Sequence, residues 1–364
     1  MLKRWHITIT CCFALFMPTV VNAQGVTTWQ ETTHDFGTFH ESEGKKSCAF
    51  VFTNSGDSSI VVLRVQSTCG CTVANYPTKA IAPGEKDSIT ATFTPTGRPG
   101  PFEKDVWVYT NTSPNRTRLT IKGVVVGSPE SVSRYFPVSA GALQFTTLSM
   151  AAGDVKKGLL RNNTVTAYNT STDTIVITFD NNTSHITPHA VPDTIPPGGI
   201  STMSFFFESS RTPVWGINDD YITILGTPLH SDTPTAQASA NLIANVVEAF
   251  SMLSETDLAN APSCSIMQDK IVFDKLAVGT IAEQTLTIRN TGNNNLIVRR
   301  VMSLDKAVTA KCDKTLLKKG EQATITVKVN PVKMDGKILN TQFTVITNDP
   351  TRPTTTVRVA GEIE

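Results

Sequence analysis

The chain has 364 residues, 32 Lys and Arg against 31 Asp and Glu, a formal net charge of +1 and only 17% charged residues. With no long run of one sign, this balance excludes the electrostatic footprint that nucleic-acid or anionic-membrane binding requires. At roughly 100 to 150 residues per domain, the length allows two to four domains, each large enough to bury a core.

Lys3 and Arg4 precede an apolar run from Ile7 to Val21, and Val21-Asn22-Ala23 offers a small-residue cleavage site. Residues 1–23 are therefore expected to be a secretory signal peptide, with the mature chain secreted across the inner membrane to the periplasm or cell surface. Pro18 interrupts that run, and no later stretch approaches the roughly 20 apolar residues needed to cross a bilayer, so no membrane span is expected in the mature chain.

A first domain is expected over residues 24–127. Cys48, Phe50 and Phe52 share one face of a strand that ends at Asn54-Ser55-Gly56. Ile89, Ala91 and Phe93 alternate with Ser88, Thr90 and Thr92 in another, opened by Pro83-Gly84-Glu85 and closed by Pro95, the pattern of a sheet with one packed and one wet face. Phe102 to Asn111 and Leu119 to Val126 read as two further strands. At the Asn-x-Gly turns, Gly is expected to supply positive φ and Asn a side-chain cap. After Gly127-Ser128-Pro129, a diverged second domain over residues 137–248 keeps the frame with Leu143-Gln144-Phe145, a turn at Asn169-Thr170-Ser171, and Pro197-Gly198-Gly199 before Met203 to Phe207. Asn260-Ala261-Pro262 then separates a third domain over residues 262–364.

Residues 54–100 recur at a constant offset of 236 as residues 290–336, through pairs such as Asn54/Asn290, Gly56/Gly292, Gly84/Gly320, Ile89/Ile325 and Pro95/Pro331. There Ile325, Val327 and Val329 alternate with Thr324, Thr326 and Lys328. About seven short strands per 100 residues predict an all-β protein of tandem immunoglobulin-like β-sandwich domains, with a closed β-barrel as the other all-β solution. Lys311, Lys314, Lys318 and Lys319 make the last domain locally basic, the pattern of a solvated loop.

Only the first copy carries Ser67-Thr68-Cys69-Gly70-Cys71-Thr72; Cys69 faces Asp305 and Cys71 faces Ala307, so the shared fold is expected to form without these thiols. Removing Cys11 and Cys12 with the signal leaves Cys48, Cys69, Cys71, Cys264 and Cys312 as the disulfide or redox candidates. Local pairing suggests Cys264 with Cys312, plus one bridge among the first three. Cys48 shares its face with Phe50 and Phe52, which reads as a buried, unpaired thiol. For Cys69 and Cys71 three readings stand: a structural staple, a redox-active pair whose ring Gly70 permits, or two soft ligands for copper or zinc. His34 and His40 are in the same domain, but the sequence does not place them near the thiols.

Nothing else in the chain reads as catalytic. There is no Gly-x-Ser-x-Gly elbow, no phosphate-binding loop and no His-Glu-x-x-His. Pro188 between His185 and His189 argues for a loop pair rather than a helix face. Asn115-Arg116-Thr117 and Asn169-Thr170-Ser171 fit N-glycosylation acceptors in a eukaryotic host.

The ordered series Asp35-Phe36-Gly37-Thr38, Phe50 to Gly56, Ser67-Thr68-Cys69-Gly70-Cys71-Thr72 and Pro83-Gly84-Glu85 resembles an exported bacterial family of domains of unknown function (DUF 1573 type). That family is similar to the Hydin-type (ASH) and major-sperm-protein-like Ig domains. The resemblance covers residues 33–126 and, without Cys-Gly-Cys, residues 271–361. It implies interaction and scaffolding modules with no catalytic site. The chain is thus expected to be an exported, non-enzymatic binding or scaffolding protein of the cell envelope, without a cofactor, whose partner is a protein or an envelope polymer. The alternative expectation is a thiol redox or metal-handling protein using Cys69 and Cys71.

Overall fold

A computed structural model describes residues 24–334 and 336–363, so the expected signal peptide lies outside the described residues. The chain divides into two compact units, one ending at Ser131 and the other beginning at Val132.

In the first unit, two-residue alternation builds β1 (Thr27–Trp29), β2 (Thr33–His40), β3 (Lys46–Asn54), β4 (Val62–Ser67), β5 (Thr72–Asn75), β6 (Lys86–Phe93), β7 (Gly100–Thr110) and β8 (Arg116–Val126). They form two sheets, ordered β1-β3-β6-β5 and β2-β8-β7-β4. Phe50, Phe52, Ile89, Ala91 and Phe93 of one sheet share a single buried core with Val106, Val108, Leu119 and Ile121 of the other. Burying one such large side chain contributes about 1.5–3 kcal/mol, which is why the apolar face of each strand must turn inward.

The second unit holds two more sandwiches. In one, β9 (Val138–Ala140), β10 (Leu143–Phe145), β11 (Ser149–Lys156), β12 (Leu160–Asn169), β13 (Ile175–Asp180), β14 (Ile186–Val191), β15 (Thr194–Ile195), β16 (Ile200–Glu208), β17 (Gly216–Pro228) and β18 (Ala236–Val247) give sheets β14-β16-β12-β10-β9 and β11-β18-β17-β13-β15. In the other, β19 (Cys264–Ile266), β20 (Lys270–Leu276), β21 (Ala282–Asn290), β22 (Leu296–Ser303), β23 (Val308–Cys312), β24 (Leu316–Leu317), β25 (Gln322–Val329), β26 (Ile338–Thr347) and β27 (Thr354–Ile363) give β19-β21-β25-β23 and β20-β27-β26-β22-β24. The three sandwiches share one connection pattern, down to a single parallel pair in each: β2 with β8, β11 with β18, and β20 with β27. Even the isolated Ile60–Ile81 bridge recurs, at the same offset, as the Leu296–Leu317 pair. Each sheet ends in edge strands, so the architecture is an open sandwich and the barrel alternative does not form.

A buried asparagine knots each copy. Asn54, Asn169 and Asn290 are all 0% exposed. The amide of Asn54 donates to Ser58 O and Ile81 O, both at 2.9 Å, and its Oδ1 accepts from Gly56 N–H at 3.1 Å. Asn169 repeats this with Asp173 O, Ile195 O and Ser171 N–H, and Asn290 with Asn294 O, Leu317 O and Gly292 N–H. The expected side-chain cap is therefore present, but the expected role of Gly56 and Gly292 is not. Neither has positive φ; a Cβ on Gly56 would sit 2.1 Å from Gln24 O, and one on Gly292 would sit 2.4 Å from Ala261 O. Close passage of the preceding chain is what demands glycine there. Positive φ belongs to Gly84, Gly198 and Gly320 of the Pro/Lys-Gly turns. Burial of Asn169 also removes its reading as a glycan acceptor, since both its N–H bonds are committed inside the sandwich.

Within the second unit its two sandwiches are tied together. The Arg299 guanidinium grips the Glu248 carboxylate through two bonds of 2.7 and 3.0 Å, and Arg300 Nη1 donates to Trp215 O and Ile217 O, each at 2.9 Å. His189 lies in edge strand β14 and His185 immediately before it, where its Nε2 meets Asp220 at 2.9 Å. Only His185 lies in a loop; His189 sits in the strand, because Pro188 is tolerated at a sheet edge.

Candidate functional site at the Cys-Gly-Cys corner

β4 borders one sheet and β5 borders the other, so the residues between them carry the chain across the sandwich. The corner is pinned at both ends. Thr68 N–H donates to Asp105 O at 3.0 Å, Thr94 N–H donates to Cys71 O at 2.9 Å, and Thr72 N–H closes the turn on Cys69 O at 3.3 Å. Cys69 and Cys71 are joined by a disulfide, with Cα atoms 5.3 Å apart. Gly70 has neither positive φ nor any atom within 4 Å of where a Cβ would stand, so unusual backbone angles are not its contribution.

The corresponding corners in the other sandwiches close without sulfur. Between β22 and β23, Ala307 N–H donates to Asp305 Oδ1 at 2.8 Å, and Val308 N–H to Asp305 O at 3.1 Å. Position for position, an aspartate-to-backbone hydrogen bond replaces the covalent link. Between β13 and β14, Thr183 N–H donates to Asn181 Oδ1 at 3.1 Å. Short polar side chains make such two-residue closures readily.

The disulfide opens onto a cleft of about 360 Å³ lined by Phe93, Arg98, Pro99, Pro101, Phe102 and Lys104. Phe93 and Phe102 stack with ring centroids 3.8 Å apart and form its apolar wall. Arg98 Nη1 donates to Thr96 O at 2.8 Å, which fixes the guanidinium beside the cleft. Glu41 holds the same loop by accepting from Gly97 N–H at 2.5 Å, and also binds Ser128 N–H at 2.9 Å and the Ser131 hydroxyl. Burial opposes ionisation of Glu41, but the bonds from Gly97, Ser131 and Ser128 outweigh it and hold the carboxyl below its ordinary range. Thr72, only 2% exposed, places its hydroxyl 3.7 Å from Cys69 Sγ and 3.8 Å from Cys71 Sγ. Disulfide sulfurs carry no hydrogen, so the hydroxyl is the donor.

The remaining sequence candidates stand apart. Cys48 is a free thiol buried beside Phe50 and Phe52, and burial first, with Glu31 nearby second, pushes its pKa up to about 11. Cys264 and Cys312 are also free thiols, so the expected bridge between them is corrected. They occupy the opposite edge strands β19 and β23 with two strands between, three spacings of about 4.8 Å, beyond the roughly 7 Å Cα separation a disulfide allows. Burial, then Asp349, pushes Cys264 to about 12, and burial also raises Cys312. Among the described residues, no group of three or more His, Cys, Asp or Glu is arranged to hold a metal ion.

Arg98 and Lys104 were not legible as site residues and Phe93 and Phe102 were read only as strand residues, because the fold, not spacing, brings them to the corner. Thr72 left a trace: it closes the Cys-Gly-Cys-Thr segment, and its counterpart in the copy without thiols is Val308.

Residues 27–125 match the family model described as protein of unknown function (DUF1573), and residues 262–362 match that of the HYDIN/CFA65/VesB-like Ig-like domain. The molecule is thus a tandem array of Ig-like sandwiches with a domain of unknown function at one end. Both matches agree with the resemblance seen in the sequence; they are to whole domains and single out none of the corner residues. No curated protein matches. A solved protein of unknown function from Porphyromonas gingivalis W83 is 18% identical with a TM-score of 0.48, over 61% of this chain and 100% of that one. The ASH/PapD-like domain 7 of human CEP192 is 12% identical with a TM-score of 0.27, over 31% of this chain and 92% of that domain. No helix among the described residues is long and apolar enough to cross a membrane.

Proposed function

We propose that this is an exported, non-enzymatic binding protein of the cell envelope that holds an extended segment of a partner protein by adding it as a strand to its sheet edges. The observation that carries this reading is the phase of three equivalent edge strands. The bonds from Thr94 N–H to Cys71 O and from Asn330 N–H to Ala307 O set which residues of β5 and β23 bond inward. By alternation, the N–H groups of Ala74 and Ala310 face outward, available to an added strand. In β14 the same phase, set by Glu208 N–H to His185 O, puts Pro188 at that position. Proline has no N–H to offer and is a recognised way of blunting a sheet edge. At this edge the first and last sandwiches therefore offer an outward N–H where the middle one has proline.

The test copies the middle sandwich into its neighbours. The purified protein is incubated with envelope extract, alongside the Ala74→Pro/Ala310→Pro variant, with thermal melting as the control for folding. Capture by the parent and loss of capture by a normally melting variant is expected. Equal capture by both, or none by the parent, overturns the reading.

A further inference from the structure

We propose that Cys69–Cys71 is a thiol–disulfide exchange site that accepts a cysteine thiolate of an exported partner protein. Three observations converge on it. Two sister corners close by hydrogen bonds alone, at Asp305 with Ala307 and at Asn181 with Thr183, so the fold does not require a covalent link here. The almost fully buried Thr72 hydroxyl lies against both sulfurs, and the copy that lacks the thiols has Val308 in its place. The bridge also opens onto a cleft bordered by Arg98 and Lys104, a positive setting of the kind that favours a thiolate over a thiol.

The partner thiolate attacks Cys69 Sγ, the less buried sulfur. A bond forms between the partner sulfur and Cys69; the Cys69–Cys71 bond breaks, and its electron pair leaves on Cys71 Sγ. The Thr72 hydroxyl and the two cations stabilise that leaving thiolate. A second thiolate of the partner then attacks the partner sulfur of the mixed disulfide and frees Cys69. The partner dithiol is oxidised to a disulfide by two electrons, Cys69 and Cys71 are reduced to thiols, and they take up the two protons the partner gives up. Cys48, Cys264 and Cys312 take no part, being free thiols held protonated by burial.

Reduced glutathione serves as the probe thiol. The folded protein is treated with it, quenched with acid, alkylated and read by peptide mass spectrometry. The expected product is a glutathione adduct on Cys69 with Cys71 alkylated. Thr72→Val is expected to slow its formation about tenfold, the size of one hydrogen bond to a charged group, without a change in melting temperature. Should that variant fold poorly, Arg98→Gln/Lys104→Gln, altered only in side chains bordering the cleft, is expected to slow exchange and weaken its dependence on salt. A bridge that stays intact in the native protein but is reduced after denaturation would overturn the proposal. So would an adduct confined to Cys71, or variants that exchange as fast as the parent.

Discussion

Asn290 commits its whole amide inside the last sandwich, with bonds of 2.8 and 3.0 Å from its nitrogen and 3.0 Å to its oxygen. Asn290→Ala removes its bonds to the carbonyls of Asn294 and Leu317 and from the N–H groups of Gly292 and Ser263, at about 1–3 kcal/mol for each group left unsatisfied. Urea unfolding is expected to register a loss of roughly 2–4 kcal/mol. Burial sets a second residue-scale prediction, for the thiols of Cys48 and Cys264. Their ordinary pKa is about 8.5, while the folded values are pushed up to about 11 and about 12. The unfolded chain ionises first, so stability is full below about pH 8.5 and declines as pH rises toward those folded values. Melting temperatures measured from pH 7 to pH 11 should fall, and Cys48→Ala/Cys264→Ala should flatten that fall. At this scale the sequence showed which residues matter but not always why. Asn54-Ser55-Gly56 announces a turn, but the carbonyl of Gln24 that crowds Gly56 comes from a chain passage no local pattern displays.

Strands were legible because alternation is local: Ile89, Ala91 and Phe93 face inward, as do Ile325, Val327 and Val329. Strand order was not. Sequence spacing alone suggested Cys264 for Cys312, and only the order β19-β21-β25-β23 separates them. The corner between β4 and β5 lies between these cases, since its thiols stood out in the sequence while Arg98 and Lys104 did not. If the hydrogen-bonded corner of the last sandwich can substitute for the bridge, Cys69→Asp/Cys71→Ala should stay folded. The closed ring is only three residues long, so little chain entropy is at stake. A cooperative melt close to that of the parent is the expected outcome. Loss of cooperative unfolding would show that the bridge is structurally required in this copy.

At the scale of the molecule, the constant offset of 236 relates the first and last sandwiches, and the one between them keeps the same strand order. Their compactness nevertheless falls into two units, and side chains supply the reason. Arg300 reaches the carbonyls of Trp215 and Ile217, and Arg299 pairs with Glu248, binding the last two sandwiches where spacing alone suggested a simple linker. Arg300→Ala removes both carbonyl contacts and is expected to weaken that junction by about 1–3 kcal/mol, seen by calorimetry as a broadened or split transition of the second unit. Repetition also carries a hazard. Consecutive copies of one architecture can exchange strands while they are still assembling, and the risk grows as neighbours become interchangeable. Here no two successive copies are interchangeable along that border, because Pro188 stands between Ala74 and Ala310 in chain order. That one imino acid is expected to lower the chance that neighbouring copies knit into misassembled chains.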